Sequence, residues 1–372
     1  MRATVEEVAD FASLEHRWRD LERRSDASFF QSWDWVGCWL RELPNDVRPQ
    51  AVVVRAGTEV VGLSIVVRHR RRRHGFVVSN GLYVGETGDQ RYDAITVEYN
   101  GVLADRRAPD AIRRAWLSHL VNHFGECDEF YLSGVDPAYE RTAGDTGPDV
   151  RVLKRSPCSY VSLDAIRHDG GDYLAGLSAN TRYQVRRAIR RYEQRGPFTL
   201  EAADTVDRGL AYLDALKVLH QAYWNRRGKP GSFANPFFER FHRRLITENL
   251  KSGGVQLLKI SVGGEPVGYL YNFVRNRWIY NYQSGFRYES DAKLKPGLVS
   301  HCLAIGYNLN TGAKAYDFMA GDSRYKRSLG NAGSELLWLV VRRNRLKYRV
   351  EDGLRAIRNR CRVIAHRHSA KE

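Results

Sequence analysis

The stretch Asp291-Ala-Lys-Leu-Lys-Pro-Gly-Leu-Val299, followed by Tyr316-Asp-Phe-Met-Ala-Gly-Asp-Ser-Arg-Tyr-Lys-Arg-Ser328, decides how the fold is interpreted. Pro296 suits the first position of a helix, because its φ is already helical and its missing N–H has no partner to lose there. Apolar residues recur at helical spacing from Leu298, and Gly312 is typical of a helix end. The helix therefore begins with free backbone N–H groups beside Lys293 and Lys295. This combination predicts an anion site, most naturally for a phosphate or pyrophosphate.

The composition limits the class of protein. The chain has 372 residues, of which 43% are hydrophobic, and this favours two domains with a substantial core. No apolar run is long enough to cross a bilayer, and acidic residues stand where a signal peptide would be apolar, so we expect a cytoplasmic protein. Five cysteines without a Cys-x-x-Cys pair indicate reduced, buried thiols. The net charge of +16 favours anionic partners, namely coenzyme phosphates, nucleic acid, acidic polysaccharide precursors or an anionic membrane, and selects none of them.

The same order of features recurs in the two halves of the chain. Residues 52–65, with a Gly-Thr-Glu turn, parallel residues 260–270, with a Gly-Gly-Glu turn. Later, a predicted helix, a glycine, an aromatic strand and a second glycine follow one another twice, and the spacing from Gly125 to Gly134 equals that from Gly312 to Gly321. We interpret this as the duplication of an α/β unit. Because the first copy lacks the Lys-Pro-Gly helix start, we expect the second copy to be functional and the first to be a structural or acceptor-binding partner.

Four motifs resemble the GNAT acyltransferase superfamily, in particular the branch of the cellulose-biosynthesis acetyltransferases, which is related to the Fem-type peptidoglycan aminoacyltransferases. They are Leu177-Ser-Ala-Asn-Thr-Arg-Tyr-Gln-Val-Arg-Arg187, Gly264-Glu-Pro-Val-Gly-Tyr269, Ser284-Gly-Phe286 with Lys295-Pro-Gly-Leu298, and Tyr316–Lys326. The resemblance implies an α/β fold of tandem GNAT-like units, each a mixed, mostly antiparallel sheet flanked by helices. We predict a degenerate GNAT-like domain over residues 1–155, a GNAT acyltransferase domain over 156–345 and a basic helical tail over 346–372.

The resemblance also implies a donor and a place for it. The donor would be acetyl-CoA or another acyl-CoA, used as a co-substrate without a metal, and the acceptor an amine or a hydroxyl. Its pyrophosphate would lie at the helix start derived above, which assigns Lys293, Lys295, Gly297 and Leu298 to coenzyme binding. The sequence has only one glycine in Lys-Leu-Lys-Pro-Gly, where the superfamily usually has a glycine-rich loop. Fem-type relatives take their acyl group from aminoacyl-tRNA, so that donor is an open alternative.

Three residues of the last motif are candidates for catalysis. Asp317 lies within an otherwise apolar strand, where burial would raise its pKa and let it act as a base or orient the acceptor. The alternative is a salt bridge to Lys326 or Arg324. Tyr325 is predicted to return a proton to the leaving thiolate, and Lys326 to hold a phosphate or the oxyanion; the alternative for both is a solvated turn.

Other candidates lie upstream. Tyr282 and Gln283 end the strand before the predicted helix and are predicted to line the donor cleft. Arg182 and Arg186 belong to a basic band on a helix predicted from about Ser178 to Arg195, spaced to meet phosphates or an acidic acceptor, although a solvated surface explains the band equally well. His119 and His123 stand four residues apart without a third ligand nearby, so no metal site is predicted.

The function predicted from the sequence is an acyl-CoA-dependent N- or O-acyltransferase, with an amino sugar or polysaccharide precursor as acceptor by analogy with relatives. The first rival is a Fem-like transferase that uses aminoacyl-tRNA. The rival from another class is a catalytically inactive, basic module that binds polyanions. The basic tail has a helical apolar stripe and is predicted either to contact an anionic membrane or to pack on its own domain.

Overall fold

Local signals fix most of the helices and strands of this chain. The computed structural model describes residues 1–73, 77–146 and 149–352. Its strands are β1 (Arg2–Glu7), β2 (Pro49–Ala56), β3 (Glu59–Arg73), β4 (Val77–Val84), β5 (Leu103–Ala104), β6 (Glu129–Val135), β7 (Asp149–Ser162), β8 (Phe198–Ala202), β9 (Val255–Val262), β10 (Glu265–Arg275), β11 (Trp278–Phe286), β12 (Ala315–Ala320) and β13 (Ala332–Arg342). Its α-helices are α1 (Phe11–Arg23), α2 (Trp33–Glu42), α3 (Pro109–His123), α4 (Ala138–Gly144), α5 (Leu163–His168), α6 (Ala179–Glu193), α7 (Val206–Asn225), α8 (Pro236–Asn249), α9 (Pro296–Asn310) and α10 (Arg324–Leu329).

The strands form one continuous sheet. Its order is β1-β2-β3-β4-β6-β13-β7-β12-β11-β10-β9-β8, with β5 beside β3. Within the described residues, two strand pairs are parallel, β4 with β6 in the first half and β11 with β12 in the second, and every other pair is antiparallel. In each half a helix, α3 or α9, precedes the second strand of the parallel pair. The prediction of two tandem, mostly antiparallel GNAT-like units flanked by helices is confirmed.

The two halves share strands and a core. Strand β13 follows the second unit in sequence but lies between β6 and β7, so a strand from the second half of the chain completes the sheet of the first half. An aromatic cluster joins Phe29, Phe30 and Trp35 of the first half to Phe241 and Phe273 of the second, with the Phe29 and Phe273 rings stacked at 4.4 Å. Each half also has its own buried cluster on the opposite side of the sheet. The predicted domain boundary near residue 155 falls inside β7 and stays a prediction.

The helix that was predicted from Pro296 begins at that residue and ends at Asn310, and Gly312 follows with a φ of +80°. Helix α6 starts after Ser178, whose side chain accepts a hydrogen bond from the Thr181 N–H. In the described part of the chain, no helix is long and apolar enough to span a bilayer. Of the predicted tail, residues 346–352 are helical, and residues 353–372 lie outside the described residues.

Candidate active site

The separation of β11 from β12 creates a cavity. The two strands pair at three positions only, Trp278 to Tyr280 with Ala315 to Asp317. Beyond them β11 stays paired with β10, while β12 follows β7 with an irregular register between Asp317 and Ala320. The resulting cavity has a volume of about 480 Å³, and its walls include the ends of both strands, the start of α9, the last turns of α7 and the start of α10. Seven of the predicted site residues line this cavity, namely Tyr282, Gln283, Lys295, Gly297, Leu298, Tyr325 and Lys326, which makes it the candidate active site.

One end of the cavity is formed by the tip of α9. Lys295, Gly297 and Leu298 line it, and the first backbone hydrogen bond of this helix is donated by Val299 to the Lys295 carbonyl. The N–H groups of Gly297 and Leu298 therefore precede the helical hydrogen-bond ladder and are free to bind an anion. Lys295 is half-buried and adopts a left-handed backbone with a φ of +49°. The predicted anion site thus opens into the cavity and is not covered by protein.

A histidine one turn further along α9 adds an unsatisfied polar atom to this wall. His301 is 1% exposed, and its Nδ1 lies 3.2 Å from the Tyr316 hydroxyl. Its Nε2 is buried without a hydrogen-bond partner among the described residues. Burial lowers the pKa of His301 to about 3, so the ring is neutral. An unpaired nitrogen in a cavity wall is costly unless a ligand or water satisfies it.

Tyr325 and Lys326, in the first turn of α10, both line the cavity. The Tyr325 ring stacks on His301 with centroids 5.4 Å apart, and burial raises the pKa of its hydroxyl to about 12. The Lys326 Nζ donates to the carbonyls of Ala320 at 2.7 Å and Met319 at 3.2 Å. Burial lowers the pKa of Lys326, while Glu98 and Asp317 act in the opposite direction. Both residues belong to the site, and Lys326 fixes the end of β12.

Asp317 lies behind the wall of the cavity. Its side chain is fully buried and accepts hydrogen bonds from the Tyr99 hydroxyl at 2.5 Å and the Met319 N–H at 2.6 Å. Burial raises the pKa of Asp317 to about 7, and the two hydrogen bonds oppose this shift. Of the described residues, Asp317 is not among those that line the cavity, and neither Lys326 nor Arg324 forms an ion pair with it. This position indicates that Asp317 holds the end of β12 in place.

Tyr282 and Gln283 both line the cavity. The Tyr282 hydroxyl donates a short hydrogen bond to the Ile95 carbonyl and lies 3.3 Å from His242 Nε2, so it ties β11 to the first half of the chain. The Gln283 Nε2 donates to Ser232 Oγ at 3.2 Å.

The remaining predicted residues lie elsewhere. The Lys293 side chain is exposed, and its backbone N–H donates to Asp291. Arg182 donates to the Ala175 carbonyl at 2.7 Å and so holds the turn before α6, while Arg186 is exposed. Within the described chain, none of the three is a lining residue of the cavity.

Residues of the first half that the sequence did not indicate complete the site. Thr96 and Glu98 line the cavity, and Tyr99 binds Asp317. The signal available in the sequence was weak, namely a glycine-rich loop, 85–101, without a helical or strand pattern. In the described ranges, no cluster of three or more His, Cys, Asp or Glu side chains is placed to hold a metal ion.

Comparisons with known proteins agree with this architecture. Residues 179–327 match the family model described as an acetyltransferase (GNAT) domain. No protein of curated function matches the chain. Among solved structures, FemX is similar with a TM-score of 0.58 and 10% identity, covering 91% of this chain and 97% of that one. The L-PGS of Bacillus licheniformis is similar with a TM-score of 0.54 and 13% identity, covering 91% and 94%.

A third solved structure is the C-terminal domain of a putative lysylphosphatidylglycerol synthetase from Agrobacterium fabrum. It has a TM-score of 0.53 and 12% identity, and the match covers 90% of this chain and 93% of that one. At these identities the likeness establishes the fold, which all three share with the present chain over nearly its whole length.

Proposed function

We propose that this chain, which carries a GNAT acetyltransferase domain over residues 179–327, is an acyl-CoA-dependent acyltransferase that transfers an acyl group to an amine or hydroxyl inside the cavity between β11 and β12. The observation that carries the proposal is the continuity of that cavity. It runs from the free N–H groups of α9 and Lys295 to Lys326, so a phosphate and a reacting centre fit at its two ends.

The residues at the α9 end fit the diphosphate of a coenzyme. Two backbone N–H groups, the positive end of a fifteen-residue helix and the Lys295 side chain offer charge and hydrogen bonds to an anion. His301, whose buried Nε2 has no hydrogen-bond partner among the described residues, lies in the same wall. Gly297 packs beside the Phe286 ring, and a Cβ added at Gly297 would lie 3.2 Å from that ring, so a larger residue would crowd this end of the cavity. When bound, the coenzyme supplies an activated acyl thioester.

The catalytic roles follow from the contacts of each side chain. Lys326 holds the Met319 and Ala320 carbonyls and brings positive charge to the place where the reaction develops negative charge. Tyr325, which lines the cavity and stacks its ring on His301, is the proposed proton donor to the leaving sulfur. Asp317 acts through Tyr99 and the Met319 N–H to hold the end of β12 in place, which makes it a positioning residue.

We also propose an acceptor class, a cellular location and a role for the basic tail. An amino sugar or a polysaccharide precursor is the proposed acceptor class, the cytoplasm is the proposed location, and the basic tail is proposed to contact an anionic membrane peripherally. These statements rest on the family resemblance and on the charge of +16.

Coenzyme binding tests the proposal directly. Isothermal titration with acetyl-CoA should show saturable binding, and Lys295→Glu should weaken it at least about tenfold, because it reverses a charge at the anion site. Lys251→Glu, at an exposed turn before β9 that does not line the cavity, changes the same charge and should leave binding unchanged. Absence of binding at millimolar acetyl-CoA, together with retained binding of heparin or RNA, would replace the proposal with a polyanion-binding module.

A further inference from the structure

The first half of the chain contributes an acid to the cavity. Among the described residues that line it, Glu98 is the single carboxylate, and Lys295 and Lys326 are the cations. Glu98 is only 7% exposed, and one carboxylate oxygen accepts the Ala320 N–H at 2.8 Å. The other oxygen accepts no hydrogen bond, and the side chain forms no ion pair, with any residue of the described ranges. A buried carboxylate with a free oxygen at the edge of a cavity is a candidate for binding a positively charged or proton-bearing ligand.

The backbone around Glu98 is held under strain. Thr96 and Tyr99 have φ values of +44° and +50°, which are unfavourable for residues with a side chain. Gly134 of β6, with a φ of +63°, lies so close that a Cβ there would stand 2.8 Å from the Val97 carbonyl oxygen and 2.9 Å from Glu98 Cα. Tyr99, the next residue, is bound to Asp317. The chain is thus fixed on both sides of Glu98, and the carboxylate is aimed at the end of β12.

The other titratable groups of the cavity are already engaged or neutral. His220 Nε2 accepts from Trp224 Nε1 at 2.9 Å, and its Nδ1 lies 3.1 Å from the Gln221 side-chain oxygen. His301 is neutral because burial lowers its pKa to about 3. Lys326 donates to two carbonyls, as described above. Glu98 is therefore the group best placed to accept a proton.

We infer that the acceptor is a primary amine, that its nitrogen binds beside Glu98, and that Glu98 takes the proton that this nitrogen loses. This inference rests on the proposed function and deepens it. The lining of the cavity offers Lys295 and the α9 tip for the phosphates and one carboxylate, Glu98, for an ammonium. The ammonium first gives one proton to solvent by way of Glu98, which leaves a neutral amine. As the C–N bond forms, the thioester C–S bond breaks, the nitrogen's second proton passes to Glu98, and the sulfur leaves as a thiol after taking a proton from Tyr325. Glu98 then passes its proton to the Tyr325 oxygen, so one proton in all is released to solvent and both side chains return to their starting states.

The surroundings of Glu98 raise its pKa above that of an exposed carboxyl, which makes it a stronger base. Burial raises the pKa of Glu98, while Lys326 on α10, Lys154 on β7 and the Ala320 N–H lower it. Asp317 on β12, Cys158 on β7 and Tyr282 on β11 face the same region, and the charge of Glu98 opposes ionisation of each of them. The rate should therefore rise with pH as Glu98 ionises and then level off.

Matched pairs of probe acceptors test the class of substrate. Glucosamine and glucose, and butylamine and butanol, are each supplied with acetyl-CoA, and both the released thiol and the acetylated product are measured, the latter by mass spectrometry. The amine member of at least one pair should be acetylated and its hydroxyl partner should not. Equal or preferred transfer to the hydroxyl member would overturn the amine assignment, and transfer to neither member by a protein that binds acetyl-CoA would overturn it as well.

Variants of Glu98 test the proton transfer. Glu98→Gln keeps an acceptor for the Ala320 N–H and should lower kcat/KM by about 10²- to 10⁴-fold and abolish the rising limb of the pH profile. The affinity of Glu98→Gln for acetyl-CoA should stay within about twofold of wild type. The control Glu193→Gln, on the exposed end of α6, should change neither kcat/KM nor the affinity for acetyl-CoA. Glu98→Ala should be equally slow and should recover at least about tenfold when formate is added, which a purely structural role would not explain.

The outcomes distinguish this inference from the proposed function. If Glu98→Gln retains more than about a third of wild-type kcat/KM, Glu98 is not the base, although the acyltransferase proposal stands. If wild type neither binds acetyl-CoA nor releases its thiol, the proposed function fails and this inference fails with it.

Discussion

Replacing Asp317 by Asn should remove a pH-dependent part of the stability of this protein. Asp317 is fully buried, and burial raises its pKa from 3.8 to about 7 against two hydrogen bonds that lower it. Because the pKa is higher in the folded protein than in the unfolded chain, the carboxyl's contribution is fully present below about pH 4 and is lost as the pH rises through about 7. The interval from 3.8 to about 7, at about 1.36 kcal/mol per pKa unit, corresponds to about 4 kcal/mol.

The assay is urea denaturation of wild type and Asp317→Asn between pH 4.5 and about 8.5, followed by tryptophan fluorescence. The free energy of unfolding of wild type, relative to the variant, should fall by about 3–4 kcal/mol across this range. Burial also raises the pKa of Glu86 to about 8, but this group is common to both proteins and cancels in the difference. An exposed control, Asp145→Asn, should follow wild type at every pH. Parallel curves for wild type and Asp317→Asn would refute the burial argument.

Three further predictions concern the junction between the halves and the donor. Phe273→Ala should lower the free energy of unfolding by about 3–5 kcal/mol in chemical denaturation, because the ring is buried against Phe29; a loss under about 1 kcal/mol would contradict the packing. Gly134→Ala should lower both Tm and acyl transfer, since its Cβ would meet the Val97 carbonyl at a positive φ; unchanged activity would show that the loop has room. The Kd of acetyl-CoA should change less than about tenfold between 50 and 200 mM NaCl in titrations, whereas a loss of about 10³-fold or more in tRNA binding would favour the aminoacyl-tRNA alternative.

Local chemistry explains which parts of the structure could be predicted from the sequence. Pro296 and Gly312 act within one turn of the chain, so the bounds of α9 followed from residue types alone. The burial of Asp317 followed from its apolar neighbours. Its partner could not be predicted, because Tyr99 is 218 residues away and reaches it only through the packing of the two halves. For the same reason, the pairing of β13 with strands of the first half could not be predicted, because the sequence of an apolar strand does not specify its neighbours.

The difference between the two halves has a structural cause that also explains the composition of the site. In the second half, the separation of β11 and β12 leaves the cavity. In the first half, the equivalent separation of β4 and β6 beyond Tyr83 and Tyr131 is bridged by Asn100, whose backbone N–H donates to the Gly134 carbonyl at 3.0 Å and whose side chain donates to the Val84 carbonyl at 2.7 Å. The segment that fills the first gap is thus the one that carries Glu98 and Tyr99 into the second. The closed gap in the first unit and the completed cavity wall in the second therefore both result from the path of the same segment, residues 96–100.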